Sequence, residues 1–269
     1  VGIRTPRVNS QRDWGRLLRR LVSGLRCLVA GPREMAPGLH VHSPLVLPVG
    51  RALPLVRRLN GFLLRWPLRR FLRRAGFTQP LVWTYHPFML KAVEGMASGP
   101  LVYHCVDDVA AVPGVDAARF DAAEAQLLER CDAVFTTSPA LQEKCARLTP
   151  NAHYFGNVVD FGHFSRAHDN AELPADLAVI PEPRIAYHGV LSEFKVDFGL
   201  LAEVARLRPD WQFVLIGETR EGQEAVHTDA LRALPNVHFL GHRPYAELPD
   251  YLGGMAVGML PTLLNPYTR

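Results

Sequence analysis

An α/β fold built on parallel sheets is what this sequence predicts, and three observations predict it. From Leu81 onward, short apolar runs alternate with helical stretches, the β-α-β-α rhythm of sheets covered by helices on both faces. That rhythm pauses once, over the polar residues 165–183 with their three prolines, and restarts at Arg184. The pause reads as a linker between two Rossmann-like halves. Finally, the 269 residues are 48% hydrophobic and 21% charged, which excludes a disordered chain and a disulfide-stapled mini-protein. The expected division is a first domain over 1–176 and a second, incomplete domain over 177–269.

The strands expected in order are Leu81–Tyr85, Leu101–Val106, Ala133–Thr136, Ala152–Phe155, Arg184–His188, Gln212–Ile216, Val237–Leu240 and Ala256–Leu260. Each is a short apolar run bounded by Gly, Pro, Asp or Asn, as buried parallel strands are. Helices are expected over about 117–131, 139–148, 197–207, 223–233 and 245–253, with Asp116 and Ser138-Pro139 as ordinary openings.

Charge is distributed unevenly. The formal net charge is +4, yet residues 1–80 hold 16 arginines against Asp13 and Glu34, while the rest of the chain is acidic. Two helices are expected there, at about 11–28 and 52–75. In the second, Leu55, Leu59, Phe62, Leu63, Leu68, Phe71 and Leu72 recur at helical spacing, with Arg57, Arg58, Arg65, Arg69, Arg70, Arg73 and Arg74 between them. Such a helix suits an anionic lipid surface, and equally a solvated face packed on its own sheet. Nucleic acid is not expected, because no aromatic-basic binding motif accompanies the charge.

Four scattered cysteines without a C-x-x-C pair point to a reducing compartment and no zinc site. No G-x-S-x-G elbow, H-E-x-x-H, G-x-G-x-x-G or kinase signature is present. His40 and His42 form an H-x-H with no third ligand nearby and read as surface or packing residues. Chemistry is sought instead at strand ends, where open α/β sheets bind ligands. His104, Asp107 and Asp108 follow one strand and could take a proton or hold a cation, though an aspartate pair there also serves as turn or cap. His86 ends another strand, as a cleft residue or a plain loop residue. Gly189 and Lys195 lie between a strand and a helix, a geometry that suits a diphosphate. Gly217 and Gly241-His242 end the next two strands on the same edge. Cys105 reads as buried filler.

In this order, PLVWTYHP, PLVYHCVDD, the Glu124–Leu141 run, NVVDFGHF, IAYHGVLSEFK and NVHFLGHRPYAELPDYL resemble the family-4 class of bacterial glycosyltransferases with the GT-B fold. The resemblance implies transfer of a sugar, with retention, from a nucleotide-sugar to an acceptor hydroxyl. The donor is a co-substrate, and no metal or other cofactor is implied. Asp107, with Asp108 and His104, falls at the catalytic position where relatives often carry histidine. Lys195 matches the lysine of the donor diphosphate and Gly189 the turn before it. The arginine usual a few residues earlier is replaced by Val190 and Leu191, and Gly156-Asn157 stands where Pro-Asn is commoner. Gly217, Gly241 and His242 belong to the donor side, the last two near the nucleobase. Asn265 and Thr268 enter the donor loop, and His86 and Ser138 lie on the acceptor side. A saccharide or lipid-linked saccharide acceptor, cell-surface polysaccharide synthesis and a cytoplasmic, peripheral position on the inner leaflet follow from the same resemblance.

The resemblance also implies an internal piece, without the opening strand of the first domain and without a P-x-K-x-x-E-Y donor segment, and therefore inactive alone. Two rivals share these features: a GT-B epimerase or phosphorylase, and a non-catalytic scaffold that binds a membrane or a partner protein.

Overall fold

The computed structural model describes residues 32–42, 54–93, 99–168, 172–219 and 228–268, without the side chains of residues 54, 57, 91 and 92. The helix expected over 11–28 and the first part of that over 223–233 lie outside the described residues. Two compact units form, Val1–Ala110 with Val115–Gly156, and Ala111–Gly114 with Asn157–Arg269.

Among the described residues, the first unit begins with an antiparallel hairpin that periodicity alone does not announce, β1 (Arg33–Ala36) and β2 (Leu39–Val41). Its turn needs Gly38, at φ +75°, whose N–H donates to Glu34 Oε1 at 3.0 Å. Helix α1 (Pro54–Arg74) follows, then β3 (Val82–Thr84), α2 (Leu90–Val93), β4 (Leu101–Cys105), α3 (Ala117–Leu128), β5 (Ala133–Thr136), α4 (Pro139–Ala146) and β6 (Ala152–Tyr154). The strands pair in parallel in the order β3-β4-β5-β6. Their alternation sends Tyr103, Cys105, Val134 and Ala152 into a core with Leu127 and Leu128 of α3 and Leu141 and Cys145 of α4. Asp116 and Ser138 cap α3 and α4, accepting from Arg119 N at 3.1 Å and Leu141 N at 3.2 Å.

In the second unit come α5 (Phe161–Phe164), α6 (Ala175–Ala178), β7 (Arg184–His188), α7 (Phe198–Leu207), β8 (Gln212–Ile216), α8 (Asp229–Arg232), β9 (Val237–Gly241), α9 (Leu248–Leu252) and β10 (Val257–Gly258). The sheet is parallel, in the order β10-β7-β8-β9. Central β8 is buried on both faces, as its unbroken apolar run requires. Phe213 and Leu215 meet Leu201, Ala202 and Leu231 on one side; Val214 and Ile216 meet Leu177, Leu248 and Tyr251 on the other.

Three expectations change here. Residues 165–183 are not a bare linker, because Leu177 and Ile180 are buried in the second core. Residues 157–176 accordingly group with the second unit. The helix expected over 245–253 is a 3-10 turn at Tyr245–Glu247 followed by α9, with Pro249 in the first turn of α9, where no N–H is needed. The last strand keeps only two of its five expected residues in register, Val257 and Gly258 beside Ile185 and Ala186.

Candidate functional site

At the carboxyl ends of β7, β8 and β9, three glycines stand side by side. Gly189 N donates to Ile216 O at 2.9 Å, and Gly217 N donates to Gly241 O at 2.9 Å. All three have positive φ, at +147°, +148° and +72°. Gly217 is doubly constrained, since a Cβ there would lie 1.9 Å from Gly189 O. The edge is therefore bare backbone. Beside it lies an open depression of about 620 Å³ lined by Gly217, Glu218, Thr219, Gly241, His242 and the Arg232–Phe239 pair. The Arg232 guanidinium sits 4.1 Å from the Phe239 ring centroid.

The loop after Gly189 is pinned at both ends. Leu191 N donates to Glu218 O at 2.8 Å, and Lys195 N to Ser192 O at 3.0 Å. Lys195 then meets the last described segment of the chain. Leu263 N donates to Lys195 O at 2.9 Å, Asp197 N to Pro261 O at 2.8 Å, and Asn265 Nδ2 to Phe194 O at 2.6 Å. This places the Lys195 ammonium 5.4 Å from the Phe194 ring and 5.5 Å from the Tyr267 ring. Asn265 and Thr268 form a reciprocal capping box. Asn265 Oδ1 accepts from Tyr267 N at 2.9 Å and Thr268 N at 3.2 Å, and Thr268 Oγ1 accepts from Asn265 N at 3.0 Å. Of the expected donor-side residues, the structure thus brings Gly189, Gly217, Gly241 and His242 to one edge, and Lys195, Asn265 and Thr268 to one loop pair.

The first unit treats its strand ends differently. Asp107 is exposed after β4, but Asp108 is paired to Lys144 Nζ at 2.9 Å. Lys144 also meets Glu124 Oε2 at 2.9 Å and Asp121 at 3.6 Å. Glu124 is itself buried and accepts from the Tyr103 hydroxyl at 2.6 Å. Burial alone would lower the Lys144 pKa, but Asp108 and Glu124 outweigh it and hold the amine above its ordinary value. Burial, then Cys105 and Glu124, push the Tyr103 hydroxyl far up. The hydrogen-bonded Cys145 thiol and burial push Cys105 up as well, so Cys105 is packing, as its place in an apolar strand suggests.

The His104 ring on β4 lies 5.0 Å from Tyr85, tilted against it, and 5.6 Å from Trp83, edge to face, and burial lowers its pKa. His86 caps the 3-10 turn Pro87–Met89 through Nδ1, which accepts from Phe88 N at 3.4 Å; burial again lowers its pKa. Ser138 is engaged as the α4 cap. Arg58, Arg69, Arg70, Arg73 and Arg74 are exposed on α1 and Arg65 is half-buried, while the Arg57 side chain lies outside the described residues.

Lys144, Glu124 and Tyr103 escape sequence reasoning. One signal was available, since Lys144 is one of only three lysines in an arginine-rich chain. Phe194 and Tyr267 carry no sequence signal, because their meeting depends on a contact across 73 positions of chain.

No family model matches the sequence. Over 154 residues the chain is 27% identical to TuaH of Bacillus subtilis (strain 168), assigned as a teichuronic acid biosynthesis glycosyltransferase; the match covers 55% of this chain and 37% of that protein. Sucrose-phosphate synthase from Thermosynechococcus elongatus superposes with a TM-score of 0.62 at 17% identity, over 96% of this chain and 71% of that one. Anabaena HepE, solved in complex with UDP-glucose, does so with a TM-score of 0.56 at 19% identity, over 79% of this chain and 58% of HepE. The chain has the GT-B fold. The two parallel sheets are the two Rossmann-like domains of GT-B proteins, and the glycine edge belongs to the second of them.

Proposed function

We propose that this chain is the nucleotide-sugar-binding and acceptor-side part of a glycosyltransferase. The observation that carries the reading is the side-chain-free edge at Gly189, Gly217 and Gly241, followed by the pinned loop that ends on Lys195. Such an edge lets a diphosphate approach backbone, and the Lys195 ammonium is proposed to offset the charge of the leaving group. The likeness to TuaH supports sugar transfer, and the likeness to HepE, whose structure contains UDP-glucose, supports a UDP-sugar donor.

In the proposed reaction the bond from the anomeric carbon to the diphosphate breaks and an acceptor oxygen takes its place with retention. Rate enhancement comes mainly from holding the two substrates in register and from stabilising the diphosphate. Asp107, exposed at the end of β4, is the carboxylate proposed to receive the acceptor proton; Asp108 holds Lys144 instead. The donor is a co-substrate and no metal is required, so added chelator should leave binding and turnover unchanged. The acceptor is proposed to be a lipid-linked saccharide of cell-surface polysaccharide synthesis, met by a protein peripheral on the inner leaflet.

Calorimetric titration with UDP- and GDP-sugars tests the reading. Binding of one series is expected, and an absence of binding by both overturns it in favour of a scaffold.

A further inference from the structure

We propose that the exposed face of α1 is a docking surface for an anionic lipid bilayer. The proposal deepens the peripheral position given above and rests on that part of the reading alone, not on the donor chemistry. The apolar residues that the sequence groups on one helical face are divided by the structure between two. Leu63, Leu68, Phe71 and Leu72 are half-buried and Pro67 is buried. On the opposite side, Leu55, Leu59, Phe62 and Trp66 are 76%, 42%, 58% and 44% exposed. Their spacing of four, three and four residues aligns them in one stripe about 16 Å long. Scattered apolar side chains are normal on a surface, whereas a continuous aromatic and aliphatic stripe marks a contact.

The charge around the stripe identifies that contact. Residues Pro54–Arg74 include seven arginines and no acid. Exposed Arg69 and Arg73 continue the line of the stripe, and Arg58 and Arg70 flank it. The Arg70 guanidinium lies 5.6 Å from the Trp66 ring centroid, and Phe62 stacks on Trp66 at 6.4 Å. Rings seated at headgroup depth with guanidiniums on phosphates use both halves of this surface. A second copy of the chain would set one arginine-rich face against another. A nucleic acid duplex would match the charge and leave the stripe in water.

The test is sedimentation of the chain with phosphatidylcholine vesicles, with and without phosphatidylglycerol. Binding to the anionic vesicles alone is expected, weakening as salt is raised. Replacing Arg69, Arg70 and Arg73 by Gln should weaken it by about two orders of magnitude, from roughly fivefold per charge. Phe62→Glu with Trp66→Glu should abolish it. All these side chains are exposed, so thermal melting should be unchanged, and a UDP-sugar titration should give the wild-type affinity. Trp66→Phe should keep binding while removing the emission quenched by brominated lipid chains. The proposal is overturned by no binding to anionic vesicles, by binding indifferent to the stripe and arginine variants, by a dimer that Phe62→Glu breaks without vesicle binding, or by duplex DNA binding more tightly than the vesicles.

Discussion

The two parallel sheets end in opposite ways. In the second unit the carboxyl ends of β7, β8 and β9 turn on glycines that hydrogen-bond to neighbouring strand ends and carry no side chains. In the first, the end of β4 is crowded, with Asp108 bound by Lys144 and His104 in contact with two aromatic rings. An edge of bare backbone binds a ligand through shape and dipoles, and tolerates almost no substitution. An edge of side chains sorts its residues into those that hold the fold and those that face solvent. Asp107 and Asp108 are adjacent in sequence, yet Asp107 is exposed while Asp108 is held by Lys144.

The sharpest test of that contrast is Gly217→Ala. The added Cβ falls 1.9 Å from Gly189 O in a backbone at φ +148°, so both turns must move. A loss of about 3 kcal/mol or more is expected in chemical denaturation, together with loss of nucleotide-sugar binding. A stable variant with wild-type affinity would show the edge to be incidental.

Next in size, in the other unit, Glu124→Ala leaves the buried Tyr103 hydroxyl without its acceptor and takes from Lys144 its buried partner, leaving Asp108, and should cost about 2–3 kcal/mol. Glu124→Gln should cost less, because an acceptor for Tyr103 remains. Equal losses from the two variants would mean that the charge of Glu124 on Lys144, not its packing or its bond to Tyr103, is what matters there.

Lys195→Ala should lower donor affinity about 10- to 100-fold with little change in melting temperature. Unchanged affinity removes Lys195 from the donor site. Asp108→Asn disturbs a pair that is one-third exposed, at 33% and 36%, and should cost only about 0.5–1 kcal/mol. An Asp107→Asn variant compared with it should lower the proposed sugar transfer rather than stability; the reverse pattern would exchange their roles.

The smallest effect is a pH dependence. Burial would raise the Asp176 pKa, but hydrogen bonds from Arg243 and Tyr251 outweigh it and hold the carboxylate below its ordinary 3.8. A depressed folded value means the contribution is complete above that pH and is lost as the pH falls through the folded value. Asp176→Asn should therefore flatten the acid limb of the melting-temperature profile of the second unit. A profile identical to wild type would assign that limb to other carboxylates.

Most strands were legible because burial on both faces writes a continuous apolar run. Ala133–Thr136, Arg184–His188 and Gln212–Ile216 stand in the structure with the bounds that their sequence predicts. The glycine turns were legible too, since a glycine directly after a buried strand has few other uses. The β1–β2 hairpin was not, because all its residues are exposed and periodicity has no buried face to report. The linker reading over 165–183 failed for a related reason. Its burial rests on single residues such as Leu177 and Ile180 within a polar stretch.

The sequence by itself determined the fold class, the order of strands, the three glycines of the second sheet edge and the concentration of arginine before Leu81. These follow from local composition and period, which act over a few residues. Tertiary structure alone decided which of two adjacent aspartates is held by Lys144, which aromatic rings enclose Lys195, and which apolar face of α1 is left in water. Each of those outcomes depends on groups brought together from distant parts of the chain, and only packing sets such distances.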